Sequence, residues 1–174
     1  MTHDELVIRA GKWLAARGCS LVLRELVTMQ AEQPDAIGWR NNGRMSYLVE
    51  CKATRGDFLK DKAKSFRRDP HKGMGAFRYF LCEPGLIMPH DLPPRWGLLY
   101  CHAKCISTEV GHRVGSIVLE GDPWYWRQHE RNLPGEMVMM HSALSRLRVD
   151  MGDARFDERI HLSYMNRQAE KAAA

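Results

Sequence analysis

Glu50 and Lys52 stand two residues apart in the stretch Ser46-Tyr47-Leu48-Val49-Glu50-Cys51-Lys52. Side chains alternate across a β-strand, so on a strand these two share one face and Val49 and Cys51 share the other. A carboxylate and an ammonium in the middle of a sheet are unusual, because charges are seldom buried unless paired or bound to metal. Asp35 precedes Glu50 with fourteen residues between them, across an Asn-Gly turn signal. If the two flanking strands pair in the obvious register, Asp35 converges on Glu50. Two carboxylates meeting at a sheet edge make a hard-oxygen site suited to Mg²⁺ or Mn²⁺. A lysine beside them can orient a water or help deprotonate it, and can offset charge on a pentavalent phosphorus. A metal there would lower the pKa of that water and stabilise the leaving oxygen. Few reactions need this set more than phosphodiester hydrolysis.

The elements that must position these residues can be read along the chain. His3 to Ala16 reads as a first helix, with Leu6, Ala10, Trp13 and Leu14 on one stripe and Gly18 as its stop. Leu21 to Val27 reads as a strand, although so short an apolar run also fits a helix. Asp35 to Trp39 reads as the next strand, Arg40-Asn41-Asn42-Gly43-Arg44 as a hairpin turn, and Met45 to Ala53 as its partner. Leu48 lies on the face of Glu50 and the flanking runs are apolar on both faces, so this is an inner strand. Thr54 with Asp57 three residues on resembles a capping box, with a shorter acid than usual. A helix from Arg55 to about Arg68 would bury Phe58, Leu59, Ala63 and Phe66. Arg78–Cys82 and Gly97–Cys101 read as strands, separated by a loop from Glu83 to Arg95 that holds four prolines. A strand is expected at Val114–Glu120 and a last helix at about Glu136–Val149, with the tail from Asn166 prone to fray. The order is that of an α/β domain with a mixed central sheet flanked by helices.

The chain has 174 residues and 44% apolar content, enough for one globular domain with a real core. No stretch approaches the roughly 18 apolar residues of a membrane span, and the N-terminus lacks a secretory pattern. With five cysteines, an odd number and no dense framework, the expected location is a reducing cytoplasm. A net charge of +5 is compatible with an anionic partner such as nucleic acid.

Pro34-Asp35, fourteen residues, then Glu50-Cys51-Lys52 resembles the signature of the PD-(D/E)XK nuclease superfamily, proline included. The helix, three-strand, helix, strand order is similar to that superfamily's restriction-endonuclease-like core. Val49 to Phe58, with Glu50-Cys51-Lys52 followed by Thr54-Arg55-Gly56-Asp57-Phe58 and then Asp61-Lys62, looks more specifically like small bacterial and phage proteins of the MmcB-like DNA-repair group. The resemblance covers residues 3–101. It implies a single nuclease-like domain, with 102–165 as an extension and 166–174 as a tail. Asp35, Glu50 and Lys52 would be catalytic, with Asp35 and Glu50 also holding the metal.

The resemblance implies a further carboxylate on the first helix. Glu5 is the matching position, but an acid in a first helical turn is equally an ordinary dipole partner. Glu25 is another metal-site candidate, or a solvent-facing strand residue. Arg55 and Asp57 would brace the helix start, with Arg55 within reach of phosphate; plain helix capping accounts for them equally well. Arg55, Lys60, Lys62, Lys64, Arg67, Arg68 and Lys72 form a basic run leading away from the catalytic strand. That run could track a phosphate backbone or simply be a solvated face. Cys101-His102-Ala103-Lys104-Cys105 looks like half a zinc site, but no second ligand pair accompanies it. Trp124-Tyr125-Trp126 could stack on bases, but aromatic clusters more commonly pack on a sheet. Met137 to Met140 reads as helix core.

These residues predict a Mg²⁺- or Mn²⁺-dependent nuclease, and the resemblance implies that it acts on DNA, in repair, recombination or phage DNA processing. Homodimerisation would suit double-strand cutting. The rival reading is a catalytically silent nuclease-fold module that binds nucleic acid or protein. No Gly-rich phosphate loop or nucleophile elbow supports another enzyme class.

Overall fold

The computed structural model describes residues 1–61, 64, 69–111 and 128–173. Two compact units are distinguished, Met1–Glu136 and Met137–Ala174. In the first, α1 (His3–Ala16) precedes β1 (Leu21–Arg24), β2 (Ala36–Arg40), β3 (Met45–Cys51), α2 (Arg55–Asp61), β4 (Phe77–Cys82), β5 (Gly97–Cys101) and β6 (Ile106–Val110). The strands form a six-stranded sheet in sequence order. β1, β2 and β3 run antiparallel, β3, β4 and β5 parallel, and β6 antiparallel to β5. The fold is therefore α/β with a mixed sheet flanked by helices, and its first six elements come in the order expected from the sequence: helix, three strands, helix, strand.

Each face of the sheet has its own helix. α1 starts at a capping box in which Thr2 Oγ1 accepts the Glu5 amide at 3.2 Å and Glu5 accepts the Thr2 amide at 2.8 Å. Its buried stripe of Leu6, Val7, Ala10, Trp13 and Leu14 packs on Tyr47, Val49 and Cys51 of β3 and on Phe77, Tyr79 and Leu81 of β4. The opposite face carries Ser46, Leu48 and Glu50. There Phe58 of α2, fully buried, meets Phe80 edge-on at 5.0 Å between ring centres. Burying such a ring contributes about 2 kcal/mol, which ties a seven-residue helix to the sheet.

The β2–β3 turn falls where the sequence puts it. Asn41, Asn42 and Gly43 all take positive φ, as a tight hairpin turn of this handedness requires. β3 is the third of the six described strands and pairs on both sides, so the inner position expected from its apolar neighbours is the one it has.

Several expectations need correction. β1 ends at Arg24 rather than Val27; Glu25 makes one more bond across, from its amide to the Asp35 carbonyl at 3.1 Å, and its φ of +45 then turns the chain away. β3 stops at Cys51. α2 does not run unbroken to Arg68. At Lys64 the amide turns back to the Asp61 carbonyl at 3.1 Å, an i to i+3 closure. Leu59, expected in the core, is exposed; Ala63 and Phe66 lie outside the described residues. Residues 101–106, where the sequence offered half a zinc site without a second ligand pair, form a β-hairpin, with the His102 amide bonded to the Cys105 carbonyl at 2.9 Å. Cys101 is buried and Cys105 exposed. β6 follows directly and was not anticipated. The strand expected at Val114–Glu120 and the Trp124–Trp126 cluster lie outside the described residues.

α3 (Leu133–Met151) begins earlier than expected, with Asn132 Oδ1 accepting the Gly135 amide at 3.0 Å. In the second unit Gly152, at φ +79, separates it from α4 (Asp153–Ala173), whose backbone stays helical past Asn166. Met137, expected in the helix core, is exposed. Among the described residues no helix is long and apolar enough to cross a membrane.

Candidate active site

β2 and β3 pair Ala36 with Val49. One step further out, Asp35 falls opposite Glu50 on the face that carries Phe58 and Phe80. β3 and β4 pair Glu50 with Phe80. After β3 the Lys52 amide still bonds to the Leu81 carbonyl at 2.9 Å, so β4 fixes the backbone of Lys52 as well. Asp35 has a structural task too, since its Oδ2 accepts the Cys51 amide at 2.7 Å.

The side chains gathered here are charged and sequestered. Glu50 is 2% exposed, Lys52 6% and Asp61 1%. Lys52 Nζ donates to Glu50 Oε2 at 3.2 Å and to Asp61 Oδ1 at 3.1 Å. It also lies 5.9 Å from the centre of the Phe80 ring. Lys64 Nζ meets the same Asp61 Oδ1 at 2.8 Å. Burial alone would lower the pKa of Lys52, but Glu50, Asp61 and Asp35 outweigh it and raise the value, so the ammonium stays protonated. Asp35 behaves oppositely. Burial first, and then repulsion from Glu50, push its carboxyl up to about 6, against the Cys51 amide, Lys52 and His3, which favour the charged form. His3, at the start of α1, reaches Asp35 Oδ1 at 3.7 Å and Glu25 Oε1 at 3.2 Å.

The structure thus brings Asp35, Glu50 and Lys52 together, with Glu25 joined to them through His3. Asp61 belongs to the same cluster. The sequence showed it only as part of an Asp-x-Lys segment, and the clue would have been its spacing on α2, three residues after the buried Phe58. Glu5 is occupied as a helix cap. It lines a separate pocket of about 640 Å³ with Arg9, Glu83 and His102, and none of Asp35, Glu50 or Lys52 lines that pocket.

Of the basic run, Arg55 makes two 2.5 Å bonds to Asp91, in the loop before β5, and one of 3.2 Å to the Leu86 carbonyl. Asp57 bonds the hydroxyl of Thr54, which caps α2. Lys60 is exposed, Lys64 holds Asp61, and Lys72 pairs with Asp69 at 3.2 Å. Lys62, Arg67 and Arg68 lie outside the described residues.

Among the described residues no group of three or more histidine, cysteine, aspartate or glutamate side chains stands ready to enclose an ion. The donor set nevertheless fits Mg²⁺ or Mn²⁺. Two carboxylates face each other across the β2–β3 pair, and Asp35 is held back from ionising by its burial and then by Glu50. Mg²⁺ needs only one or two protein carboxylates and keeps several waters.

A second polar hub lies on the same face of the sheet. Glu136 accepts Trp39 Nε1 at 2.7 Å, Ser46 Oγ at 2.9 Å, the Gly75 amide at 3.0 Å and Arg131 Nη2 at 2.5 Å. Burial would raise its pKa, but the Arg131, Trp39 and Gly75 donors prevail and lower it.

No family model and no curated protein matches the sequence. A solved structure of a protein of unknown function from Silicibacter pomeroyi is similar in fold, with a TM-score of 0.54 and 19% identity over 88% of this chain and 94% of that one. The class that fold and site define is an α/β protein with a mixed sheet and a buried carboxylate–lysine cluster at the end of an inner strand.

Proposed function

We propose that the protein is a divalent-metal-dependent nuclease of the PD-(D/E)XK type that hydrolyses phosphodiester bonds, in DNA rather than RNA. The observation that carries this reading is the convergence of Asp35, Glu50 and a protonated Lys52 on one sheet face, at the carboxyl end of β3. Ligand sites of open α/β sheets lie outside such ends. Isolated buried charges are costly, and two acids with a raised carboxyl pKa are a site that a cation would relieve.

Asp35 and Glu50 would hold Mg²⁺ or Mn²⁺, which when bound supplies an acidified water and charge neutralisation at phosphorus. Lys52, kept charged, would position the attacking water and steady negative charge on the phosphoryl oxygens rather than serve as a base. Asp61 would fix the direction of Lys52. Glu25 and His3 would support Asp35. Lys60 and the basic residues beyond it would carry the nucleic-acid backbone. The five free cysteines suit a reducing, cytoplasmic setting in DNA repair, recombination or phage DNA processing, and a homodimer would serve cutting of both strands.

The second reading is a catalytically silent module that binds nucleic acid or protein. On its side stands the ion-pair set Glu50–Lys52–Asp61, which balances much of its own charge without metal. The test is cleavage of linear, single-stranded, supercoiled and branched DNA with Mg²⁺, Mn²⁺ or EDTA, comparing the parent with Lys52→Ala and Asp35→Asn. The nuclease reading expects metal-dependent cutting that both variants lose. Intact DNA with a folded parent, or undiminished cutting by the variants, would replace it with the module.

A further inference from the structure

α3 (Leu133–Met151) leaves much of its apolar surface in water. Leu133 is 56% exposed, Met137 66%, Leu144 53% and Leu147 47%, and Met140 and Met151 are half-buried. The six follow one another at steps of four, three, four, three and four residues. Such steps mark consecutive a and d positions of a heptad, the narrow seam of a coiled coil, where a helix lying on a sheet shows a wider stripe. Between them stand His141, Ser142, Ser145, Arg146, Arg148 and Asp150, and the buried Met139 lies off the seam. Gly152, at φ +79, ends the helix directly after Met151, so the seam is about 28 Å long at 1.5 Å per residue.

The seam is complementary to itself. Laid antiparallel about a two-fold axis beside Ser142, the seams of two copies pair Leu133 with Met151, Met137 with Leu147 and Met140 with Leu144. Every a residue then faces a d residue, and every layer joins a stiffer branched leucine to a pliable methionine. A parallel pair would stack methionine on methionine in three of the six layers and set the two Arg146–Arg148 groups side by side. The antiparallel pair holds those groups about 15 Å apart and sets each helix dipole against its opposite. A helix of another protein would have to supply the same order of side chains, whereas a second copy has it by symmetry. Covering both seams removes on the order of 1,000 Å² from water, about the threshold for a specific interface and enough for a dimer of micromolar strength.

We propose that α3 is the contact of a two-fold homodimer, in which two copies pair through Leu133, Met137, Met140, Leu144, Leu147 and Met151 as an antiparallel coiled coil. The contact is independent of the nuclease reading, and no part of its test uses nucleic acid.

The experiment is sedimentation velocity of the full chain from roughly 1 to 100 μM in reducing buffer, with Leu144→Lys beside the parent and far-UV circular dichroism to check that both are folded. Leu144 is exposed, so the substitution leaves the core intact. The parent should move from the mass of one chain toward that of two as concentration rises, and Leu144→Lys should weaken self-association by on the order of 100-fold. Cross-linking then gives the direction. Leu133→Cys and Met151→Cys chains, each with Cys105→Ser to remove the exposed thiol, are oxidised separately and as a mixture. Disulfide-linked pairs should form in the mixture and not in either chain alone, where the two thiols lie about 27 Å apart. A parent that stays monomeric or forms a species larger than a dimer would overturn the proposal. So would a dimer that Leu144→Lys leaves intact, linking of either chain with itself, or a mixture that does not link.

Discussion

Replacing Asp35 by asparagine removes one negative charge from a buried, crowded place while leaving an oxygen to accept the Cys51 amide. In the native chain burial and Glu50 push the Asp35 carboxyl from 3.8 up to about 6. The folded protein therefore holds a proton that the unfolded chain releases, and ionising the folded carboxyl costs stability as pH rises. The cost is absent below the unfolded value of 3.8, grows between there and about 6, and is constant above. Two pH units at ~1.4 kcal/mol each bound it at about 3 kcal/mol, and 18% side-chain exposure makes the lower part of that range the better expectation. Lys52 keeps Glu50 and Asp61 as partners in the variant, so no buried cation is stranded. In urea melts followed by far-UV circular dichroism with EDTA present, Asp35→Asn should be about 1–3 kcal/mol more stable than the parent at pH 7.5. The gain should shrink toward zero near pH 4. Mg²⁺ should then raise the parent's midpoint and leave the variant's nearly unchanged. A variant that is less stable at pH 7.5, or an advantage that does not change with pH, would refute the reasoning.

Asp61→Asn should fold, since its oxygen can still accept Lys52, yet lower kcat by on the order of 100-fold with little change in KM, because Lys52 loses the negative charge that holds its direction; an unchanged kcat in DNA-cleavage assays would remove Asp61 from the site. Glu136→Ala strips the acceptor from Arg131, Trp39 and Ser46 and should cost about 3–5 kcal/mol in chemical denaturation. Because the Glu136 pKa is lowered in the folded state, its contribution is present above the unfolded value of 4.5 and fades as pH falls below it, so parent and variant should converge in acid. Gly75→Ala places a Cβ 2.6 Å from the Leu48 Cβ at φ +80, and should cost roughly 1–3 kcal/mol in thermal melts.

Much of the site's frame could be read from local patterns. The Asn-Gly turn set the β2–β3 register, and alternation along β3 put Glu50 and Lys52 on one face. Both depend on neighbours a few residues apart, which is why they were legible. Asp61 was not, because its partner Lys52 meets it only after α2 folds back on Phe80. β6 was hidden by its sequence, Ile106-Ser107-Thr108-Glu109-Val110, whose two apolar residues stand only at its ends. Glu5 read as a site candidate because a capping acid and a ligating acid look alike without coordinates. Glu25 was placed inside a strand because nothing local announces its positive φ.

The bond from the Cys51 amide to Asp35 has one more consequence. β2 begins at Ala36, so at this point a carboxylate rather than a backbone carbonyl closes the ladder. The exchange rate of that single amide proton against deuterated water is thus a clock set by the Asp35 side chain. Whatever withdraws the carboxylate's lone pairs, a proton or a cation, should quicken it, while the Lys52 amide, bonded to Leu81 on the far side, keeps its own pace. Two neighbouring residues would then tell occupancy of the site apart from loosening of the strand, with no label and no substrate.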